Sequence, residues 1–281
     1  MRKNTKHRVT KRRLEHASHH YFFVFLFLFI LLSGVSFYVL RRELSVMAWE
    51  GFRNPEAALF LSRDANLALL IGNYYFNVGL KGDYDLGRAQ VYFRKAISID
   101  PQVPDAWHQL ARIDFLRGDF RAALEKINRQ IELHGDNLVS SYYVRGLISG
   151  YAKNYTQAEA DFKKFILWDD KNWAAYNDLS WIYFAEGKYP EAEATARTAL
   201  GFDDKNPWLL NSIGVSLLNQ DKKSEAKVFL LAAKANATRL SEDNWQMAYP
   251  GNDPRVASLG LVSFKKTIEA NLNQASLVDK K

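Results

Sequence analysis

Histidine is the side chain best suited to proton transfer or metal binding near neutral pH, and this chain has six. His7, His16, His19 and His20 crowd the first twenty residues, where a solvated basic tract accounts for them better than a metal site. His108 and His134 stand far apart in the body. His134 reads as an imidazole at a helix end, meeting helix carbonyls. The paired acids Asp169-Asp170 and Asp203-Asp204 read as helix-turn punctuation rather than an acid–base pair. Asn252-Asp253 offers two oxygen-bearing side chains, far short of a calcium cage. With no Cys, disulfides, thiolate-held zinc, iron–sulfur clusters and a Cys nucleophile are excluded. No G-x-x-x-x-G-K, G-x-S-x-G, H-E-x-x-H or G-x-G-x-x-G occurs. Asn154-Tyr155-Thr156 and Asn236-Ala237-Thr238 match the glycosylation acceptor, which matters only in a eukaryotic secretory lumen. The expectation is a protein that is not an enzyme, with no catalytic residue, metal or cofactor.

Charge locates the next feature. The 281 residues carry a formal net charge of +7. Residues 1–20 hold +6 of it and Arg41-Arg42 a further +2, leaving −1 for residues 43–281. A neutral body gives no basic stripe to track phosphates, so no nucleic acid partner is expected. Residues 21–40, YFFVFLFLFILLSGVSFYVL, are free of charge. As a helix they span about 30 Å, the hydrocarbon thickness of a bilayer. Tyr21 and Tyr38 suit the two interfaces. A cleaved signal peptide would have a shorter apolar run and a cleaner exit than Ser33, Gly34 and Ser36 provide. The expected organisation is a basic cytoplasmic tail at 1–20 and a transmembrane helix at 21–40, the latter in contact with membrane lipid. A juxtamembrane segment at 41–63 follows: helical to about Gly51, broken at Asn54-Pro55. Basic flanks stay cytoplasmic, so the body is expected on the non-cytoplasmic side, with Arg41-Arg42 arguing the other way.

The elements of the body announce themselves by repetition. Ala89, Ala123, Ala158, Ala192 and Ala226 recur at intervals of 34, 35, 34 and 34. Four residues on stand Phe93, Ile127, Phe162, Ala196 and Leu230. Upstream, small residues recur as Gly72, Ala111, Gly146, Ser180 and Gly214, beside Trp107, Tyr142, Tyr176 and Leu210. The joints carry Pro101, Gly135, Asp170 and Asp204. Each unit has two apolar stretches at helical spacing, divided by turns at 117–120, 152–155 and 185–189. Such short gaps join antiparallel helices. Small residues on the facing surfaces let the backbones approach.

This pattern resembles the tetratricopeptide repeat, W-x2-L-G-x2-Y, then A-x3-F, then P, over 34 residues. "AWHQLARIDFLRGDFRAALEKI" from Ala106 and "AAYNDLSWIYFAEGKYPEAEATARTAL" from Ala174 carry the likeness best. The implied fold class is all-α: a right-handed superhelical solenoid of about five helix-turn-helix repeats over 64–240, preceded by one transmembrane helix. Residues 241–281 are expected to add a loop and a capping helix, on Ser241, the breakers Pro250-Gly251 and Asp253-Pro254, and the spacing of Leu261, Phe264, Ile268 and Leu272. The last residues should fray. Three departures are expected to weaken local packing: Arg145 for an aliphatic residue, Ala196 for an aromatic, and an inserted loop at 79–87.

The resemblance implies binding of a protein or peptide segment in a concave groove lined by first helices. The family's groove positions fall on Asn66, Asn73, Asn77, His108, Arg112, Phe115, Tyr143, Tyr151, Asn177, Trp181, Phe184, Trp208, Asn211 and Asn219. Amides there suit an extended backbone, and Trp and Tyr are rigid anchors. Trp181, Phe184 and Trp208 equally suit packing between helices. His108 reads as a peptide contact or a neutral surface residue. Leu69 and Ser140 occupy clamp-lysine positions and only Asn73 matches, so acidic chaperone tails are not expected ligands. The function expected is a membrane-anchored scaffold for envelope assembly or secretion. The alternatives are a cytoplasm-facing adaptor of a translocation or chaperone machinery, or an accessory subunit of a glycan-processing enzyme.

Overall fold

The computed structural model describes residues 3–76, 83–249 and 252–277, with side chains from residue 24 onward except at 136. The side chains of His7, His16, His19, His20 and Tyr21, residues 79–82 of the inserted loop, Pro250-Gly251 and the terminal residues 278–281 lie outside this description. Every regular element among the described residues is helical. The chain divides into two compact units, residues 1–64 and 65–281.

The first unit is α1 (Lys3–Glu50) and α2 (Pro55–Leu61). Within α1, the stretch from Val24 is long and apolar enough to cross a membrane, and its side chains from Val24 to Leu44 are exposed. The Ser33 hydroxyl donates to the Ile30 carbonyl at 3.0 Å, so it leaves no polar group bare. After Glu50 the chain reverses through Arg53, whose φ is +49°. Asn54 caps α2 by accepting from the Ala57 amide, and Pro55 takes the first turn, where its missing N–H costs nothing. Ser45 and Arg41 of α1 donate to the carbonyls of Ala58 and Phe60, which pins α2 back along α1.

The second unit begins with five helical hairpins. They are α3 (Ala65–Tyr75) with α4 (Leu86–Ile99), α5 (Ala106–Leu116) with α6 (Phe120–His134), α7 (Ser140–Tyr151) with α8 (Tyr155–Trp168), α9 (Trp173–Ala185) with α10 (Tyr189–Leu200), and α11 (Pro207–Leu218) with α12 (Lys223–Ala237). The five repeated alanines are all fully buried between paired helices. The upstream small residues explain themselves by contact. A Cβ on Gly72 would come within 2.5 Å of the Phe93 ring, one on Gly146 within 3.0 Å of Phe162, and one on Gly214 within 2.6 Å of Leu230. The turns share one backbone device: Gly118, Lys153, Gly187 and Asp221, again 34 or 35 apart, all have positive φ. After each, the next amide returns to the carbonyl five residues back, as from Asn154 to Ser149 at 2.8 Å. This closure satisfies carbonyls that the helix end would otherwise leave open. Asp119 and Asn154 then cap the second helices.

The joints behave as punctuation. Asp169 and Asp203 each accept from the side chain of an N-cap asparagine, Asn172 and Asn206, at 3.0 and 2.8 Å. Arg145 corrects the expectation of weakened packing. Its guanidinium grips Asp161 on α8 through two bonds of 2.8 Å and bonds Asn128 at 3.0 Å. Ala196 is fully buried with Leu209 and Ile213, and Trp173, Tyr176 and Phe229 pack around that cluster. His134 ends α6 with its Nε2 buried and lacking a hydrogen-bond partner, not on a helix carbonyl.

Two further helices close the unit. Ser241 and Asn244 form a reciprocal cap on α13 (Glu242–Ala248). The chain then turns through Asp253, whose carboxylate is held by Arg255 at 2.6 Å. In α14 (Ala257–Ser276), Ile268 packs with Leu210, Ala233 and Ala237, covering the end of the last hairpin. Trp245 lays its indole on Gly260, which joins α13 to α14.

Candidate functional site: a chamber on the first-helix face

The first helices α5, α7, α9 and α11 line one cavity of about 970 Å³, and residues of the 248–271 segment complete its wall. Of the positions expected in the groove, His108, Arg112, Phe115, Tyr143, Tyr151, Asn177, Trp181, Phe184, Trp208 and Asn211 all line it. Asn73 does not; its Oδ1 is buried without a hydrogen-bond partner. Asn66 and Asn219 also lie elsewhere, the latter donating to the Val215 carbonyl of its own helix. Asn77 lies outside the described residues.

Much of the polar lining is already engaged, from one repeat to the next. His108 Nδ1 lies 3.1 Å from Ser141 Oγ. The Tyr143 hydroxyl donates to Asp178 Oδ2 at 2.6 Å. Ser212 donates to Asn177 Oδ1 at 2.8 Å, and Asn271 of α14 donates to Asn211 Oδ1 at 3.0 Å. This ladder links α5 to α7, α7 to α9, α9 to α11 and α11 to α14. It follows from a period of 34–35 residues, which sets equivalent rows of successive first helices side by side. It also revises the expectation for the amides: Asn177 and Asn211 bond to neighbouring helices.

Two positions depart from a solvent-facing groove. His108 is only 7% exposed. Burial, then the nearby Arg112, pushes its pKa down to about 3, so it is neutral but not a surface residue. Trp208 is also 7% exposed, stacked between Trp173 at 5.1 Å and Phe264 at 5.2 Å between ring centres. Trp181 is both wall and packing: its ring edge approaches Gly150 so closely that a Cβ there would sit 2.7 Å away. Tyr151 is the open member, 54% exposed and 5.1 Å from both the Trp181 and Phe115 rings.

Two charged groups mark the wall. Arg112 donates to Gln109 at 2.9 Å and lies over the Phe76 ring, 4.8 Å from its centre. Burial lowers its pKa to about 10, opposed by Tyr84 and Tyr143, so it stays cationic. Asp178 was missed in the sequence because its equivalents in other units are Gln109, Val144 and Ser212, a row that mostly packs. Burial raises its pKa to about 7, against the lowering effect of hydrogen bonds from Tyr143 and Asn177. The C-terminal segment adds Tyr249, pushed up to about 12 by burial and by the charge of Asp178. Tyr84, ahead of α4, is likewise raised to about 12 by burial and by Asp253, so the 252–255 turn lies near the first hairpin.

Comparison with known proteins agrees with this architecture. The tetratricopeptide repeat family model matches residues 139–172 and 174–206. Among solved structures, MamA matches with a TM-score of 0.53 at 17% identity, over 66% of this chain and 95% of that one. YrrB, described as a TPR protein with an unusual peptide-binding site, gives 0.52 at 15% identity, over 66% and 93%. PilW, described as a widely conserved type IV pilus biogenesis factor, gives 0.56 at 17% identity, over 74% and 92%. A comparison with curated proteins finds no match. At these identities the likeness concerns the fold. Two repeats match the family model, and five hairpins keep the 34-residue register with a small residue at each close helix approach; the solenoid of this chain is built from tetratricopeptide repeats.

Proposed function

We propose that this chain is a membrane-anchored scaffold whose solenoid holds a segment of a partner protein in the first-helix chamber. One observation carries the reading: four successive first helices present aromatic faces and a half-buried cation to a single cavity, within the range of about 300–1,000 Å³ of ligand sites. A solenoid that served only as a spacer would have no need to keep Tyr151, Trp181 and Tyr249 around an open space. Tetratricopeptide solenoids are protein-interaction modules, and the descriptions of YrrB and PilW, a peptide-binding site and pilus biogenesis, agree with a role in envelope assembly or secretion.

The anchor is the apolar stretch of α1, uncleaved, in contact with lipid along residues 21–40. The basic excess of residues 1–20 favours an N-terminus in the cytoplasm with the solenoid on the other side. Arg41-Arg42 favours the reverse, a cytoplasm-facing adaptor, and protease protection separates the two. Protease added outside intact cells should digest the solenoid, and the chain should stay in membranes after a carbonate wash. Release by the wash contradicts the anchor, and full protection from protease contradicts the sidedness. For the chamber, random decapeptides are selected against the full chain in detergent and counter-screened against Tyr151→Ala. Peptides whose binding depends on Tyr151 support the reading. Peptides that bind both proteins equally move the site elsewhere on the solenoid.

A further inference from the structure

The groove reading does not say what chemistry the chamber selects. The ladder commits one oxygen of Asp178 to Tyr143, and among the described residues the only other hydrogen bond to its carboxylate comes from Asn177. No Lys, Arg or His pairs with it among the described residues. An unpaired carboxylate in a protein wall is costly, and proteins neutralise it or supply a counter-charge. Around it stand aromatic rings. Tyr143 touches it; Tyr151 and Tyr249 both feel its charge. Trp181 lies one turn along α9 and packs 5.1 Å from Tyr151. Ring faces attract cations through their quadrupole, and a carboxylate among them adds the counter-charge. A neutral apolar anchor would leave that carboxylate buried and unpaired, so the cavity discriminates in favour of a cation.

We propose that the chamber is a cation-recognition site, in which the Asp178 carboxylate and the rings of Tyr143, Tyr151, Trp181 and Tyr249 receive a lysine or arginine side chain of the partner segment. The proposal rests on the groove reading and makes it more specific. It sets a polarity too: Arg112 lines the same cavity from α5, two repeats before Asp178, and suits a carboxylate or backbone carbonyl of the same segment. Between pH 6 and 8 the titration belongs to Asp178. Tyr143, Tyr151 and Tyr249 are all raised further above neutral. His108 is neutral throughout this range. Asn177 on α9 and the α11 groups at the chamber, Trp208, Asn211 and Ser212, carry no charge. Binding of a cation should therefore strengthen about tenfold from pH 6 to pH 8, as the ionised fraction of Asp178 rises.

The test uses the full chain in detergent, with tryptophan fluorescence as the readout because Trp181 and Trp208 line the cavity. N-acetyl-arginine amide should bind at least about tenfold tighter than neutral N-acetyl-norleucine amide at pH 8, and lose that margin by pH 6. Asp178→Asn should abolish both the preference and its pH dependence. Tyr151→Ala, an exposed ring, should weaken arginine amide about fivefold or more with an unchanged Tm. Equal binding of the two amides overturns the proposal on the wild-type protein alone, whatever the variants do. So does an Asp178→Asn protein that folds and keeps the preference, or choline binding better than arginine amide. Among the decapeptides selected above, Lys or Arg should be enriched in those that depend on Tyr151. Tyr151-dependent peptides without that enrichment would leave the groove reading standing and end this one; no Tyr151-dependent peptides would end both.

Discussion

The hydroxyl of Tyr143 donates to the carboxylate of Asp178 at 2.6 Å, joining the first helices of two successive repeats at the wall of the chamber. The bond belongs at once to the interior of the solenoid and to its candidate site, so stability and recognition are coupled through one carboxylate.

That coupling has a pH signature. Burial raises the Asp178 pKa from 3.8 to about 7, so between those values the folded chain holds a proton that the unfolded chain has released. Stability then falls as pH rises from about 4 to about 7, and levels off above. Asp178→Asn should flatten this segment and raise Tm at pH 8 relative to wild type. Tyr143→Phe removes a bond that favours the ionised form, so it should enlarge the total loss by carrying it to higher pH. Thermal melts from pH 4 to 9 measure both. A wild-type profile that rises across this interval contradicts the assignment of Asp178.

The Arg145–Asp161 pair gives a second expectation. Asp161 is 3% exposed and receives two bonds from Arg145. Arg145→Leu restores the aliphatic residue usual at this position, yet it should destabilise by about 3 kcal/mol, because it strands a buried carboxylate. Adding Asp161→Leu should recover most of the loss. Urea unfolding of both variants decides whether the pair compensates for the departure from the repeat.

Close helix approach gives a third. Gly214→Ala would gain about 1 kcal/mol of helix propensity. The new Cβ, 2.6 Å from Leu230 Cγ, should lose about 1–3 kcal/mol by overpacking. Ala158→Leu, at a fully buried position, should cost at least as much. A Tm unchanged in both would show that the facing register is wrong.

The fourth lies in a turn. Lys153 holds φ at +63° where the neighbouring turns place Gly118 and Gly187. Lys153→Gly should stabilise by about 0.5–1 kcal/mol, the left-handed strain it relieves less the entropy it adds to the unfolded chain. A lower Tm would mean that Lys153 contributes a contact outweighing its backbone strain.

The periodic part of this structure was readable in the sequence because one physical demand recurs. Each hairpin needs a small residue where its helices meet, and Ala89, Ala123, Ala158, Ala192 and Ala226 write that demand at constant spacing. The groove row followed from the same period and brought Arg112, Tyr143 and Trp181 to one cavity. What the period does not encode was not readable. Asp178 lies one residue beside that row. The contribution of Tyr249 to the chamber depends on the path of a loop some seventy residues later. Arg145 looked like a fault because its partner, Asp161, sits on the other helix of the hairpin at no repeating position.

The central claim, that the first-helix chamber is where a partner is held, is tested most directly by site-specific photo-crosslinking in the native membrane. A benzophenone side chain is placed at Tyr151, in the chamber, or at Leu167, 87% exposed on the second-helix face of the same repeat. The account predicts a discrete crosslinked product from position 151 and none from position 167. A discrete product from 167 with none from 151 would contradict it.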